Sequence, residues 1–144
     1  MIPVDALCSP GAPTASINPS VLSAVLRPNS TFVVVFDAED RPDADQLRRA
    51  VAMFRAGPDN LACVQARLNI YNARASWFTR QFTVEYSALF DAILPALARL
   101  NFPVPLGGTS NHFPRALLDE VGGWDPFNVT EDADLGIRLA RMGY

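Results

Sequence analysis

The chain has 144 residues, a net charge of −3 and an apolar fraction of 49%. This length suits one domain with a real core, the composition excludes a disordered chain, and the negative charge gives no reason to expect nucleic acid binding. All twelve basic residues are arginines, which excludes every mechanism that needs a lysine.

The first candidate site follows the first predicted strand. Residues 1–31 are rich in Pro, Ser and Ala and are typical of an irregular lead-in, whereas the apolar run 32–36 predicts a buried strand. Asp37, Glu39 and Asp40 come where that strand ends, which in open α/β sheets is the crevice where ligands bind. Crowded carboxylates repel one another unless a cation lies among them, so the cluster predicts bound Mg²⁺ or Mn²⁺. The alternative is a polar turn after a core strand.

A helix and a second strand are predicted next. Asp43 and Gln46 form a capping-box pattern before a helix that ends at the turn 57–60, and a short apolar strand follows at 61–65. The order strand, helix, strand predicts a βαβ unit with parallel strands and a right-handed crossover. Cys63, inside the second strand, is expected to be a small core residue.

The middle of the chain predicts one long helix over residues 76–100, which Pro95 would kink or split. Its apolar stripe is expected to face the core, with contact to a membrane surface or a partner as the alternative. The stripe consists of Phe82, Tyr86, Leu89, Phe90, Ile93, Leu97 and Leu100.

Small and polar residues then precede two further helices. The glycine pair at 107–108 lets backbone approach another strand or a ligand closely, and it leads into a polar run that contains the only histidine, His112. A turn followed by an edge strand is the alternative there. A short helix is predicted over 114–121. The last helix is predicted to begin at Thr130, with acids in its first turn, where carboxylates suit the helix dipole.

The acids are concentrated in two places. Eleven of the fifteen lie in the stretches 37–45 and 119–134. If the sheet brings these stretches together, one supplies a metal site for a diphosphate and the other supplies a carboxylate base. Those are the parts that an inverting sugar transfer needs.

Four motifs occur in an order that resembles the family 2 glycosyltransferases. They are Phe-Asp-Ala-Glu-Asp-Arg-Pro at 36–42, Gly-Gly-Thr-Ser-Asn-His-Phe at 107–113, Val-Gly-Gly-Trp-Asp at 121–125, and Thr-Glu-Asp-Ala-Asp-Leu-Gly-Ile-Arg-Leu at 130–139. The resemblance covers residues 32–144. It is greatest to the processive, membrane-embedded branch that includes cellulose synthase-like and other β-glycan synthases.

The resemblance implies a partial GT-A fold, which is a Rossmann-like α/β three-layer sandwich with a mixed, mostly parallel sheet. It implies that Asp37, Glu39 and Asp40 bind the donor diphosphate together with Mg²⁺ or Mn²⁺. Asp132 takes the position of the catalytic base, and Glu131 supports it. The residues expected to line the acceptor or sugar site are Gly108, Thr109, Ser110, Asn111 and His112, with Trp124 and Gln65 as further candidates.

The implied partners are a nucleotide-diphosphate sugar, with UDP as the expected nucleotide, and a glycan acceptor. A membrane would be met only through segments absent from this chain, and the implied location is cytoplasmic, at the inner face of the plasma membrane. Residues 1–31 match nothing in the family, and its later Gln-x-x-Arg-Trp motif is absent, so an internal fragment of a synthase is expected. The alternative is an inactive remnant, or a nucleotide- or metal-binding module without turnover.

Two further interpretations fit less well. A metal-dependent phosphotransferase needs a lysine that the chain lacks. A calcium-binding loop over 37–48 would need glycine where Pro42 stands and a bidentate glutamate where Arg48 stands.

Overall fold

The computed structural model describes residues 30–144, so the predicted lead-in lies outside the described residues except for its last two positions. Within this range no helix is long and apolar enough to cross a membrane. A π-helical segment, Ala88–Ile93, joins the second helix to the third. The strands and α-helices in chain order are β1 (Phe32–Val35), α1 (Gln46–Ala56), β2 (Val64–Gln65), α2 (Trp77–Ser87), α3 (Leu94–Arg99), β3 (Asn111–Pro114), α4 (Arg115–Glu120) and α5 (Glu131–Arg141).

The sheet has the order β1-β3-β2, and β3 is antiparallel to both of its neighbours. Strands β1 and β2 therefore run in the same direction, as the βαβ pattern predicts, but they do not pair. The prediction of a mostly parallel sheet is wrong, because a strand from much later in the chain inserts between them. The alternative of an edge strand at β3 is wrong as well, since β3 is the central strand.

Helices cover both faces of this sheet. On one face, Val33 and Val35 of β1 and Phe113 of β3 pack against α4 and α5. On the other face, Ala50 of α1 packs against Val64 of β2. Alternate residues of a strand point to opposite faces, which is why Val33 and Val35 belong to one apolar layer and Val64 belongs to the other. The layered α/β arrangement expected from the sequence is confirmed.

The long middle helix is interrupted. The π-helical segment changes the number of residues per turn, so residues before and after it do not share one face. Phe90 is buried as predicted, but Phe82 and Ile93 are about half exposed, at 50% and 51%. Leu94, which lies outside the predicted stripe, is buried instead. The prediction of one continuous core-facing stripe is therefore wrong.

The helix starts differ in how they are capped. The capping box predicted at Asp43 and Gln46 is wrong, because α1 begins at Gln46 and its N-cap, Asp45, makes no side-chain capping bond. Ser76 does cap α2, since its hydroxyl accepts a hydrogen bond from the Thr79 amide at 3.1 Å. Thr130 is the N-cap of α5 as predicted, although its side chain makes no capping bond.

Candidate active site

The acids after β1 form a tight turn that is tied to a distant loop. The Asp40 amide donates to the Asp37 carbonyl at 3.1 Å, which closes the turn. The buried Asp40 carboxylate returns to accept a bond from the Asp37 amide at 3.0 Å. Thr109 also contacts both residues, because its hydroxyl donates to Asp40 and accepts from the Asp37 amide at 3.1 Å. Asp40 is therefore committed to holding the turn, whereas the Asp37 and Glu39 side chains are exposed.

The pKa of Asp37 reflects the crowding of carboxylates that the sequence predicts. Partial burial of its carboxyl raises the pKa of Asp37, and the neighbouring charges of Asp40 and Glu39 raise it further. The carboxylate of Asp132 raises it as well, although it lies on α5 far along the chain. The fold therefore brings the two acidic stretches into one electrostatic neighbourhood.

The loop before β3 connects the two groups of acids directly. Thr109 contacts Asp40, as described above, and the preceding residue, Gly108, lies beside Asp132. A Cβ atom at position 108 would be only 3.3 Å from Asp132 Oδ2. Thr109 therefore contacts the first acidic stretch, and its neighbour Gly108 lies beside the second. Because residue 108 is glycine, no Cβ stands at this position beside Oδ2.

Asp132 is oriented by Trp124. The indole Nε1–H donates to Asp132 Oδ1 at 2.7 Å, which leaves Oδ2 directed toward Gly108. Burial raises the pKa of Asp132, the bond from Trp124 lowers it, and the charge of Glu131 raises it. A partly buried carboxylate with one oxygen held and the other free has the geometry of a general base.

The polar residues 109–112 lie beneath the surface of the site. Ser110 and Asn111 are fully buried, and Ser110 takes a left-handed backbone conformation with φ of 58°. The side-chain amide of Asn111 donates a hydrogen bond to the Gly107 carbonyl. The side-chain amide of buried Gln65 donates to the same oxygen at 3.2 Å. These side chains fix the loop, so what it presents to a ligand is the backbone at 107–108.

His112 is engaged on both ring nitrogens within the protein. Its Nδ1–H donates to the Val64 carbonyl at 2.8 Å, and its Nε2 accepts from the Gln46 amide at 3.2 Å. Burial lowers the pKa of His112, which favours the neutral ring that this pattern requires. The histidine connects β3 to β2 and α1. Nothing local in the sequence identifies Gln46 as its partner, because the two residues are 66 positions apart.

The donor set fits a metal ion shared with a phosphate ligand. Among residues 30–144, no three His, Cys, Asp or Glu side chains are grouped to hold a metal by themselves. Asp37 and Glu39 nevertheless offer exposed hard oxygens, and the pKa of Asp37 is raised by partial burial and by the negative charges of its neighbours. Mg²⁺ is commonly held by one or two carboxylates, with substrate phosphates and water completing its shell.

This stretch of the chain is similar to known proteins. The family described as "Glycosyl transferase family group 2" matches residues 32–144. A protein named "Probable glucomannan 4-beta-mannosyltransferase 11" from Arabidopsis thaliana is 31% identical over 114 residues, which cover 79% of this chain and 26% of that protein. "Glucomannan 4-beta-mannosyltransferase 2" from Arabidopsis thaliana is 30% identical, with 78% of this chain and 21% of that protein covered.

A rice protein shows the same similarity. "Glucomannan 4-beta-mannosyltransferase 1" from Oryza sativa subsp. japonica is 30% identical over 113 residues, which cover 78% of this chain and 22% of the relative. The chain therefore spans about a fifth to a quarter of the length of these relatives.

Proposed function

The chain belongs to glycosyl transferase family group 2, and we propose that it transfers a sugar from a nucleoside-diphosphate donor to a glycan acceptor with inversion. The resemblance to family 2 and to its β-glycan-synthesising branch is confirmed by the family match and by relatives named as β-mannosyltransferases. The described residues fit a partial α/β GT-A fold, with the antiparallel sheet described above.

The observation that carries the proposal is the pair of contacts made by consecutive residues of one loop. Thr109 holds the turn that carries Asp37 and Glu39, and Gly108 lies beside the free oxygen of Asp132. A donor diphosphate at the first position and an acceptor hydroxyl at the second would meet across this loop.

At the donor end, the exposed carboxylates of Asp37 and Glu39 would hold the metal, while Asp40 and Thr109 keep the turn in shape. A bound Mg²⁺ or Mn²⁺ would supply positive charge to the departing diphosphate. Asp40 Oδ2 accepts bonds from the Asp37 amide and the Thr109 hydroxyl, so any metal contact of Asp40 would fall to its other oxygen, Oδ1.

At the acceptor end, Asp132 Oδ2 takes the proton of the attacking hydroxyl. The acceptor oxygen forms a bond to the anomeric carbon from the face opposite the diphosphate, and the bond from that carbon to the phosphate oxygen breaks. Burial raises the pKa of Asp132, which makes its carboxylate a stronger base than an ordinary aspartate. Trp124 keeps Oδ1 occupied, so that only Oδ2 is presented.

The names of the relatives support a glucomannan acceptor and a mannosyl donor joined through a 4-β linkage. The nucleotide is UDP in our expectation, with GDP as the competing choice. We place the reaction at the cytoplasmic face of a membrane, as the sequence resemblance implies.

Calorimetric titration of nucleotide sugars tests the donor site. The chain is titrated with UDP-glucose and with GDP-mannose, with and without Mn²⁺. Metal-dependent binding is expected for one donor. The Asp37→Ala variant is expected to lose about tenfold or more in affinity, because a charged ligand contact is removed.

The matched control is Asp43→Ala, which removes another acid of the same stretch. Asp43 lies only 3.9 Å from Arg49 in an exposed ion pair, and it is not part of the turn. Affinity should be unchanged in this variant. An equal loss of affinity in both variants would mean that binding depends on the net negative charge of the stretch and not on Asp37. If the folded chain binds neither nucleotide sugar, the proposed donor site is refuted.

A further inference from the structure

Arg138 of α5 is hydrogen-bonded to the backbone of the loop 121–124, which carries Trp124. Its guanidinium donates to the Val121 carbonyl at 2.8 Å and to the Gly123 carbonyl at 2.6 Å. Its Nε donates to Asp134, one turn earlier on the same helix, at 2.7 Å. The side chain is 28% exposed, so these charge-assisted bonds are only partly screened by water.

The loop is shaped to meet this guanidinium. Gly122 and Gly123 both take left-handed conformations, with φ of 78° and 64°, which only glycine adopts without strain. Their amides bond back to α4, where Gly123 donates to Leu118 at 2.9 Å. The carbonyls on either side of the turn then converge on Arg138.

The next residue of the loop carries the indole that holds the base. The Trp124 ring packs edge-on against Phe113 of the central strand, with centroids 5.6 Å apart, and its Nε1–H donates to Asp132. Helix α5 therefore contacts the loop at both ends. Arg138 binds the backbone before the indole, and Asp132 accepts the bond from the indole itself.

We propose that Arg138 is a positioning residue that fixes the Trp124 indole against Asp132 and thereby sets the direction of the free oxygen of the base. The inference rests on the proposed function for the catalytic meaning of Asp132. Lysine cannot replace the arginine, because one ammonium cannot reach two carbonyls and a carboxylate in the planar fork that a guanidinium offers.

The two tryptophans of the chain allow a direct test by NMR. The indole N–H of Trp77 lies on an exposed side chain, whereas that of Trp124 is buried and bonded. In ¹H–¹⁵N spectra, Trp124→Phe assigns the two signals, and Asp132→Ala gives the position and solvent-exchange rate of the Trp124 signal when its acceptor is lost.

In Arg138→Lys, the Trp124 signal is expected to move toward its position in Asp132→Ala. Its solvent exchange should become roughly tenfold faster, because the hydrogen bond is no longer held in place. The Trp77 signal and the backbone amides of β3 should stay unchanged. The control is Arg141→Lys, an exposed arginine of the same helix, which should change neither indole.

An unchanged Trp124 signal in folded Arg138→Lys overturns the proposal. If that variant does not fold, the Asp134→Asn variant tests the proposal instead. It weakens the bond that positions the Arg138 guanidinium but keeps the arginine. A shift in the same direction then supports the proposal, and an unchanged signal refutes it. Because neither nucleotide binding nor transfer is measured, failure of the proposed function would leave this result unaffected.

Discussion

Burial and hydrogen bonding act in opposite directions on the pKa of Asp132. Burial raises its pKa, while the hydrogen bond from Trp124 stabilises the ionised form and lowers it. Burial is the larger of the two, so the folded chain holds the proton more tightly than the unfolded chain does. At pH values above this raised pKa, the ionised carboxylate therefore reduces the free energy of unfolding.

Replacing Asp132 by Asn should consequently stabilise the chain at neutral pH. The amide keeps an oxygen that accepts the Trp124 bond but carries no charge, and we expect a gain of about 0.5 kcal/mol, which is small because the carboxylate is only partly buried. The gain should shrink as the pH falls through the raised pKa toward the ordinary value of 3.8, where Asp132 becomes protonated. Urea unfolding between pH 7 and pH 4 measures the difference.

Asp119→Asn is the control for this prediction. Its carboxylate is 66% exposed on α4 and pairs weakly with Arg115, so the substitution should give no pH-dependent gain. An Asp132→Asn chain that is less stable at pH 7 than the original would contradict the account of burial at this site.

The sequence singles out residues that belong to recognisable motifs, but it does not identify the residues to which they are hydrogen-bonded in the fold. Asp37 and Glu39 carry a local signal because they are acids at a strand end, whereas the role of Asp132 is implied by the motif resemblance; all three roles stay predictions. The roles of Thr109 and Asn111 as supports of the site could not be predicted, since they depend on bonds to residues that only the folded sheet brings close.

Among the elements, α5 has the tightest packing constraint. It passes the segment 104–106 so closely that a Cβ on Gly136 would clash with the Val104 carbonyl and lie 3.0 Å from Leu106 Cγ. The backbone of both elements therefore fixes where α5 begins and where Asp132 lies. A glycine inside a helix is normally unfavourable, so this close approach explains its presence.

Gly136→Ala should destabilise the chain by about 2 kcal/mol, although alanine is the better helix former, because overpacking against backbone cannot be relieved by rotating a side chain. Chemical denaturation measures the change. Ile137→Ala, on the exposed side of the same helix, should cost less than about 1 kcal/mol. A Gly136→Ala chain as stable as the original would show that α5 can shift away from 104–106.

Helices with clear start and stop signals were predicted well, as α4 shows, since it ends at Glu120 shortly before the two glycines that were expected to stop it. The middle helix covers nearly its predicted range, from Trp77 to Arg99, but the prediction of its buried face was wrong, because the π-helical turn at Ala88–Ile93 changes the phase of the apolar pattern. A repeat counted at one fixed period cannot reveal where the period changes.

At the scale of the whole molecule, the sheet order decides where the site forms. Because β3 runs between β1 and β2 in the opposite direction, its beginning meets the ends of both strands. The acids after β1, the loop before β3 and Gln65 at the end of β2 therefore come together at one edge. The sequence predicts the direction of β1 and β2, but insertion of a strand from 45 or more positions away leaves no local pattern.

The measurement that tests this account most directly is sugar transfer by the original chain and by Asp132→Asn. Labelled nucleotide sugar, Mn²⁺ and mannan oligosaccharides are incubated with each, and label in the lengthened glycan is counted. The account predicts that Asp132→Asn is slower by about a thousandfold, as expected for loss of a general base, while Asp119→Asn keeps the original rate. Transfer by Asp132→Asn at the rate of the original chain would contradict it.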